Sequence, residues 1–350
     1  MPEQRNNSEP FSPPSWSTTL MTLTRTLPGL LLIGSLAVIY PGTAAANPTQ
    51  QVDALEALFG THPGFRRGQA KGLCATGYFT GTEDGKALST ATAFNGDSHP
   101  VLARFSVGGG NPAATDQSRS ARGLALKMTL PDREQWQMGN ISAPLYFIAK
   151  PEHFAPFLEV RTPDPDTGEV DQEALAAFNE AHPETLRQAQ WLGAQPIGGS
   201  YAGYTYWGVN AFRLTDADGT EQYVRWSFTP QQDISAPDES ALGELGDDFL
   251  AEDLAERLQD GPVHFDFHLQ LATDDNSLVD PTTIWPDSNP SVLAGKLTIE
   301  ASSTGKGGNC DRMMFNPLAL PEGVAASDDP VLHARPAAYG VSFGRRVSGE

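Results

Sequence analysis

Basic side chains are scarce in this 350-residue chain. Its 23 lysines and arginines against 43 aspartates and glutamates leave a formal net charge of -20 and a pI near 4.6. Binding to a phosphate backbone or to anionic lipid needs clustered cations, so nucleic acid is not an expected partner. Cysteine is nearly absent as well: only Cys74 and Cys310 occur, without the Cys-x-x-Cys spacing of a zinc or thiol-redox motif. They suit a pair in an oxidising compartment and two buried unpaired thiols equally well. Gly and Pro, at 34 and 28 residues, fall below the low-complexity range. No internal repeat and no Ser/Gly or charge-run linker divides residues 47–350, so one domain is expected.

Long apolar runs are missing except near the N-terminus. After Arg25 the chain is charge-free, and its apolar part, Leu27 to Tyr40, is too short for a comfortable membrane span and leads to Ala44-Ala45-Ala46. Residues 1–46 therefore read as a secretory signal cut after Ala46; a start at Met21 would give a leader of ordinary length with Arg25 as its positive end. An uncleaved membrane anchor is the alternative. Removal of the leader leaves the charge unchanged, and the expected location is periplasmic or secreted.

Strand-like alternation with β-branched and aromatic enrichment recurs at Val101–Val107, Gly123–Thr129, Pro144–Ala149, Tyr204–Leu214, Gln222–Phe228, Val263–Ala272 and Val292–Ile299. Helical periodicity marks Gln51–Phe59, Asp171–Leu192 and Leu245–Leu258, and Asp329–Arg346 has room for one short helix. Clustered strands with a few helical insertions predict an α+β chain built on an antiparallel sheet or barrel, not a doubly wound parallel sheet.

Several motifs carry little chemistry. Gly198-Gly199-Ser200-Tyr201-Ala202 lacks the last glycine of a nucleophile elbow, and Gly108-Gly109-Gly110 opens no dinucleotide fingerprint, so both read as turns. His264, Asp266 and His268 alternate on one predicted strand face, as metal ligands could. A solvated strand face is the simpler reading, since two-His-one-carboxylate sites use a less linear layout. Arg335 and Tyr339 stand four apart, which on a helix places guanidinium and phenol on one face. A tyrosine ordinarily titrates near pH 10, so a functional phenolate needs such a cation. Pro336 disfavours helical dihedrals at Arg335, which predicts that the arginine sits at the helix cap.

The ordered set His62-Pro63-Gly64-Phe65-Arg66, Ala70-Lys71-Gly72, Gly77-Tyr78-Phe79, Arg104-Phe105-Ser106, Arg122-Gly123, Trp136 with Pro144 and Phe147, Pro151-x-x-Phe154, Asp280-Pro281-Thr282-Thr283-Ile284-Trp285-Pro286, Ser327-Asp328-Asp329-Pro330 and Arg335-x-x-x-Tyr339 resembles the haem catalase superfamily. The likeness is to its short, exported catalase-related peroxidases, and it runs from about Ala54 to Arg346. It implies haem b in a β-barrel core, held between barrel and C-terminal helix, with Tyr339 as the axial iron ligand, the ligation associated with catalase in general. It implies further that Arg335 keeps the phenolate ionised, that Arg66, Arg104 and Arg346 pair with haem propionates, that Phe154 packs on the distal face of the ring and that Ser106 orients the distal base.

Two departures fall on the distal side. The family carries a histidine before Ala-Lys-Gly, where this chain has Gln69. An imidazole can take a proton from one peroxide oxygen and return it to the other, whereas an amide positions peroxide without exchanging a proton at neutral pH. Ile141 falls where true catalases carry an asparagine, and Asn140 could reach in only if the loop shifts by one residue. His62 already matches another family position and is not a substitute base. The resemblance thus implies a haem peroxidase that reduces hydrogen peroxide or organic hydroperoxides with an unknown small-molecule reductant, weak in catalase turnover and attenuated by Gln69. The alternative is a non-enzymatic haem-binding carrier, sink or sensor. Lacking the long C-terminal extension of large catalases, the chain has no expected tetramer, and monomer and dimer stay open.

Overall fold

In this computed structural model, which describes residues 46–303 and 308–350, apolar side chains at every second position close a sheet on itself. The strands are β1 (Gly72–Gly81), β2 (Ser98–Val107), β3 (Arg122–Thr129), β4 (Gln135–Ile141), β5 (Tyr206–Thr215), β6 (Glu221–Pro230), β7 (Val263–Leu271), β8 (Ser291–Ser303) and the short β9 (Val324–Ala326). The order β4-β3-β2-β1-β8-β7-β6-β5 is antiparallel throughout, and Ile141 opposite Trp207 joins β4 to β5. The result is an eight-stranded barrel, with β9 added to β5. The leader assigned to residues 1–46 lies outside the described residues except for its last one.

A barrel of eight strands is just wide enough for side chains to fill it, and here large rings do so. Phe79 meets Phe267 edge-on at 5.4 Å, Trp136 meets Trp226 at 5.6 Å and Phe212 stacks on Trp226 at 4.1 Å. Burial of each such ring stabilises the fold by about 1.5–3 kcal/mol. The interior therefore has no room for a macrocycle. Inward Ala103, Phe105 and Val107 of β2 and Leu124 and Leu126 of β3 belong to this core, which by the two-residue period turns Arg104, Ser106 and Gly123 to the outer face. The candidate site therefore lies on the outer wall, the side expected for a group held between barrel and C-terminal helix.

Among the described residues, eight helices lie around the barrel: α1 (Pro48–Phe59), α2 (Glu83–Leu88), α3 (Phe154–Glu159), α4 (Gln172–Ala181), α5 (Arg187–Ala194), α6 (Glu239–Glu244), α7 (Phe249–Asp260) and α8 (Pro330–Ser348). The helix expected over Asp171–Leu192 is divided. His182, restricted by the following proline, takes φ -133° and ψ 64°, and a 3-10 turn over Pro183–Leu186 separates α4 from α5. Pro144–Ala149 forms no strand. The terminal helix is long where a short one was expected: Asp329 accepts from the N–H groups of Val331 and Leu332, and Pro330 fills the first helical position. Arg335 consequently lies inside the helix rather than at its cap.

His264, Asp266 and His268 line the partly exposed side of β7, where His264 bonds Thr298 and Asp266 accepts from Gln231. They form no ligand cluster among the described residues. Cys74 and Cys310 form a disulfide with Cα atoms 5.6 Å apart, which ties β1 to the 3-10 turn Asn309–Arg312. Because the bond joins residues 236 apart in sequence, replacing both cysteines with serine is expected to lower stability by about 2–5 kcal/mol, read as an earlier denaturant midpoint. An unchanged midpoint would show the bond to be energetically idle.

Candidate active site

Helix α8 runs outside the barrel wall and presents Arg335 and Tyr339 one turn apart. The Arg335 Nε donates to the Tyr339 hydroxyl oxygen at 3.0 Å, and its Nη1 donates to the Asn210 side-chain oxygen at 2.8 Å. Asn210 in turn donates to the Asp329 carboxylate at 2.6 Å. The N-cap of the helix and its functional pair thus belong to one hydrogen-bonded chain. Burial pulls the Arg335 guanidinium down, but Tyr339, Tyr146 and Asp329 outweigh it and the net shift is upward. Burial pushes the Asp329 carboxyl up, opposed by the bonds from Asn210, Val331 and Leu332. Across from Arg335 stands Gly139, where a Cβ would come 2.7 Å from the Arg335 Nη2. Only a residue without a side chain lets the guanidinium lie against β4.

One rung of the wall runs Ser106, Gly123, Ile141, Trp207 across β2 to β5. Above it sits Gln69, whose side-chain oxygen accepts from the Ser106 hydroxyl at 2.7 Å. A Cβ at Gly123 would lie 2.2 Å from that amide oxygen, so the glycine makes the space the amide occupies. Gln69 has φ 51°, a left-handed conformation uncommon outside glycine and characteristic of functional positions. The backbone of the same residue is fixed by Arg104, which donates to the carbonyls of Gln69 at 2.9 Å and Ala70 at 3.0 Å.

Asn140 does not take the distal place. The β3–β4 ladder runs without a bulge, so neighbouring residues of β4 face opposite ways. Ile141 is on the outer rung, whereas Asn140 turns inward, donates to the Leu124 carbonyl at 2.9 Å and accepts from the Trp226 indole at 2.7 Å. Both of its polar atoms are committed to closing the barrel interior.

A third group gathers beside β1 and the disulfide. Arg66 donates to the carbonyls of Cys310 and Met313, and Arg346 donates to Met313. Arg66, Arg104, Arg346 and Asp311 line one cavity of about 570 Å³. Burial, then the neighbouring Arg104 and Arg346, pulls the Arg66 pKa down to about 8. Burial also lowers Arg104 and Arg346. A guanidinium resists losing its proton, so the physical content of these shifts is a shortage of negative charge. The Nε atoms of all three arginines are buried without a hydrogen-bond partner among the described residues.

Comparison with known proteins follows the same residues. A family model described as Catalase matches residues 62–349. The chain belongs to the catalase family. A catalase-related peroxidase of Synechococcus elongatus is 36% identical over 320 residues, which is 91% of this chain and 94% of that protein. Another, from Mycolicibacterium paratuberculosis, is 38% identical over 305 residues, 86% of this chain and 95% of that one. Mouse catalase is 28% identical over 284 residues, and those residues are 54% of its length. Among solved structures, a fungal catalase superposes with a TM-score of 0.73 at 24% identity, over 82% of this chain and 60% of that one. Catalase A from Saccharomyces cerevisiae gives 0.72 at 23% identity, over 82% and 62%. These superpositions carry the barrel fold, and membership makes the chain a catalase-family oxidoreductase.

The catalase family generally binds haem, and the residues present fit that group. Three guanidiniums gather at one cavity, with the Asp311 carboxylate 3.7 Å from the Arg104 Nε, an arrangement that suits anionic propionates, and the Nε atoms of Arg66 and Arg346 are buried without a hydrogen-bond partner among the described residues. Tyr339 offers a phenol oxygen backed by a fixed cation. Phe154 at the start of α3 and Tyr146 flank Phe147, at ring distances of 5.7 and 4.3 Å, and supply aromatic surface. Asn210, Asp329, Asp311, Gly123, Gly139 and Tyr146 had no role assigned from sequence. Asp329-Pro330, a capping residue before proline, carried a readable helix-start signal; Asn210 carried none, because the β5–β6 register shift between Gly208 and Phe212 brings it there.

Tyr339→Phe is expected to deplete haem after reconstitution or alter its absorption spectrum, and a variant with the parent spectrum would exclude Tyr339 as the axial ligand. Gly139→Ala is expected to displace Arg335 and shift the same spectrum without unfolding the chain. An unaltered spectrum would show that the guanidinium does not depend on that gap.

Proposed function

We propose that this chain is an exported peroxidase of haem b that reduces hydrogen peroxide or small organic hydroperoxides at the expense of a small-molecule reductant, with its distal proton transfer slowed by Gln69. The observation that carries this reading is the 3.0 Å contact from Arg335 to the Tyr339 oxygen, which sets a fixed cation beside a phenol as an iron-binding phenolate would need. Two relatives called catalase-related peroxidase, matched over nearly their whole length, support the reaction class. Bound iron porphyrin would supply the redox chemistry that divides the O–O bond. Tyr339 would hold the iron, Arg66, Arg104 and Arg346 the propionates, and Phe154 one face of the ring.

The remaining work falls to the distal residues. Ser106 donates its proton to the Gln69 oxygen, which leaves the amide NH2 to meet a substrate. That group donates hydrogen bonds and can orient a peroxide oxygen, but it accepts no proton at neutral pH. Ile141 adds an apolar neighbour on the same rung and no hydrogen bond. The set therefore binds and aims a peroxide without shuttling its proton, a function whose loss typically costs about 10²- to 10⁴-fold in rate. The Ala44-Ala45-Ala46 end of the leader and the disulfide both suit an oxidising, extracytoplasmic location.

The same amide favours a second reading, a haem-binding carrier, sink or sensor that keeps the proximal side and has given up efficient peroxide chemistry. Stopped-flow mixing of the haem-loaded protein with peroxide separates the two: rapid spectral conversion marks the enzyme, slow bleaching alone the binder. Gln69→His is the sharper test, because histidine tolerates the left-handed backbone at this position and restores a group that both takes and gives a proton. The reaction with peroxide should accelerate by about 10²- to 10⁴-fold at unchanged haem occupancy. An unaltered rate would refute the account of the distal side.

A further inference from the structure

On the side of the wall where α3 begins, three side chains that have no part in the proposed peroxide chemistry converge. His153 ends the 3-10 turn Pro151–His153, His182 caps α4, and Glu184 lies in the turn Pro183–Leu186. The Glu184 Oε1 stands 3.9 Å from the His153 Nδ1 and 3.8 Å from the His182 Nδ1. The two imidazole rings are 4.1 Å apart between centroids. Each residue offers one ligand atom, and these atoms all lie within 4.8 Å of one another.

Hydrogen bonding does not account for the arrangement. An N–H···O bond brings its heavy atoms within about 3.2 Å, and both His–Glu separations exceed that. The His153 Nδ1 is buried with no hydrogen-bond partner among the described residues. Native proteins rarely strand a buried polar atom of this kind, and an ion is one of the few things that satisfies it. Two ligands about 2.0–2.1 Å from a tetrahedral zinc stand about 3.4 Å apart. Closing the two His–Glu distances to that value takes about half an ångström, and the remaining pair, within 4.8 Å, at most about 1.4 Å, within the reach of side-chain rotation.

We infer that His153, His182 and Glu184 form a binding site for a divalent transition-metal ion of zinc type, with water completing the coordination. Two imidazoles and one carboxylate are a borderline donor set, suited to zinc and its neighbours and poorly matched to magnesium or calcium, which prefer all-oxygen shells. All three side chains keep partial access to solvent, which gives the ion a route in. The ligands come from two separated stretches of chain, so the ion would clamp the turn ahead of α3 to the break between α4 and α5. His153 directly precedes Phe154, and the clamp therefore fixes the start of the helix that carries that ring. Such a site is a structural one, independent of the haem reading.

Isothermal titration of the untagged, full-length protein with zinc chloride in a non-coordinating buffer tests the inference. One zinc per chain is expected in the parent. Loss of an outer-shell partner alone weakens a site by about 10- to 100-fold, so His182→Ala and Glu184→Gln, which each remove a ligand, should weaken binding by at least about 100-fold. Zinc should also raise the Tm of the parent and leave that of Glu184→Gln unmoved, while magnesium moves neither. Far-UV circular dichroism identical to the parent would certify that the variants are folded, and should His182→Ala fail that check, the isosteric Glu184→Gln alone decides. Absence of zinc uptake by the parent, or equal affinity in parent and Glu184→Gln, would overturn the assignment.

Discussion

The contact between the Arg335 guanidinium and the Tyr339 oxygen requires three separate parts of the chain, α8 with its cap, β4 and β5, to meet four conditions. The helix must be continuous through Pro336, whose missing N–H leaves the Leu332 carbonyl without its intrahelical donor, an interruption that in isolation costs about 3 kcal/mol. The β4 strand must carry no side chain at Gly139, and a register shift in β5 must deliver Asn210. Asp329 must cap the helix and hold Asn210 with its second oxygen. Apart from the Asp329 cap, which also stabilises the helix start, these conditions bring no evident local advantage of their own. Together they fix the direction of one Nε–H bond, which is a strong sign that the phenol oxygen is the object of the arrangement.

Electrostatics sort the molecule in a similar way. A chain of net charge -20 places Arg66, Arg104 and Arg346 around one cavity, where burial lowers all three and the Asp311 carboxylate opposes it. A buried cation cluster of this kind is unstable as a design unless an anion completes it. The backbone carbonyls that hold Arg66 and Arg346 belong to the segment Cys310–Met313, which the disulfide fastens to β1. The bond thus anchors the anion-binding shell as well as lengthening the list of constraints on the unfolded chain.

Much of the barrel was legible because its strands obey a two-residue alternation of large apolar side chains; β2, β3, β6, β7 and β8 fall close to where that pattern places them. The strands β1 and β4 were not, since Gly72, Gly77 and Gly139 dilute the apolar signal for reasons of close approach that only the assembled wall reveals. Pro144–Ala149 showed strand composition without a neighbour to pair with. At the site, Arg335 and Tyr339 were legible through the family resemblance, since their spacing alone is common, but the position of Arg335 in the helix was not, because tertiary contacts overrode the local bias of the following proline. Asn140 illustrates a parity argument that sequence could have supported: in an unbulged strand, two adjacent residues cannot serve the same face.

In the proposed reading the distal side departs from the family at Gln69 and Ile141, and a well-defined frame surrounds the first of them. Gln69 holds the left-handed backbone, the Ser106 hydroxyl still aims at its side chain, Arg104 still fixes its carbonyl, and Gly123 still leaves the space. A site abandoned to drift would have no reason to retain a strained dihedral, since relaxing it is worth of order 1–3 kcal/mol. The frame positions whatever stands at residue 69 toward the outer face of the rung, and an amide there presents donors where an imidazole would present a base. On the proposed function, recognition of a peroxide and transfer of its proton would be separable in this wall: the first needs orientation, which the frame supplies, and the second a terminal group that takes and returns a proton.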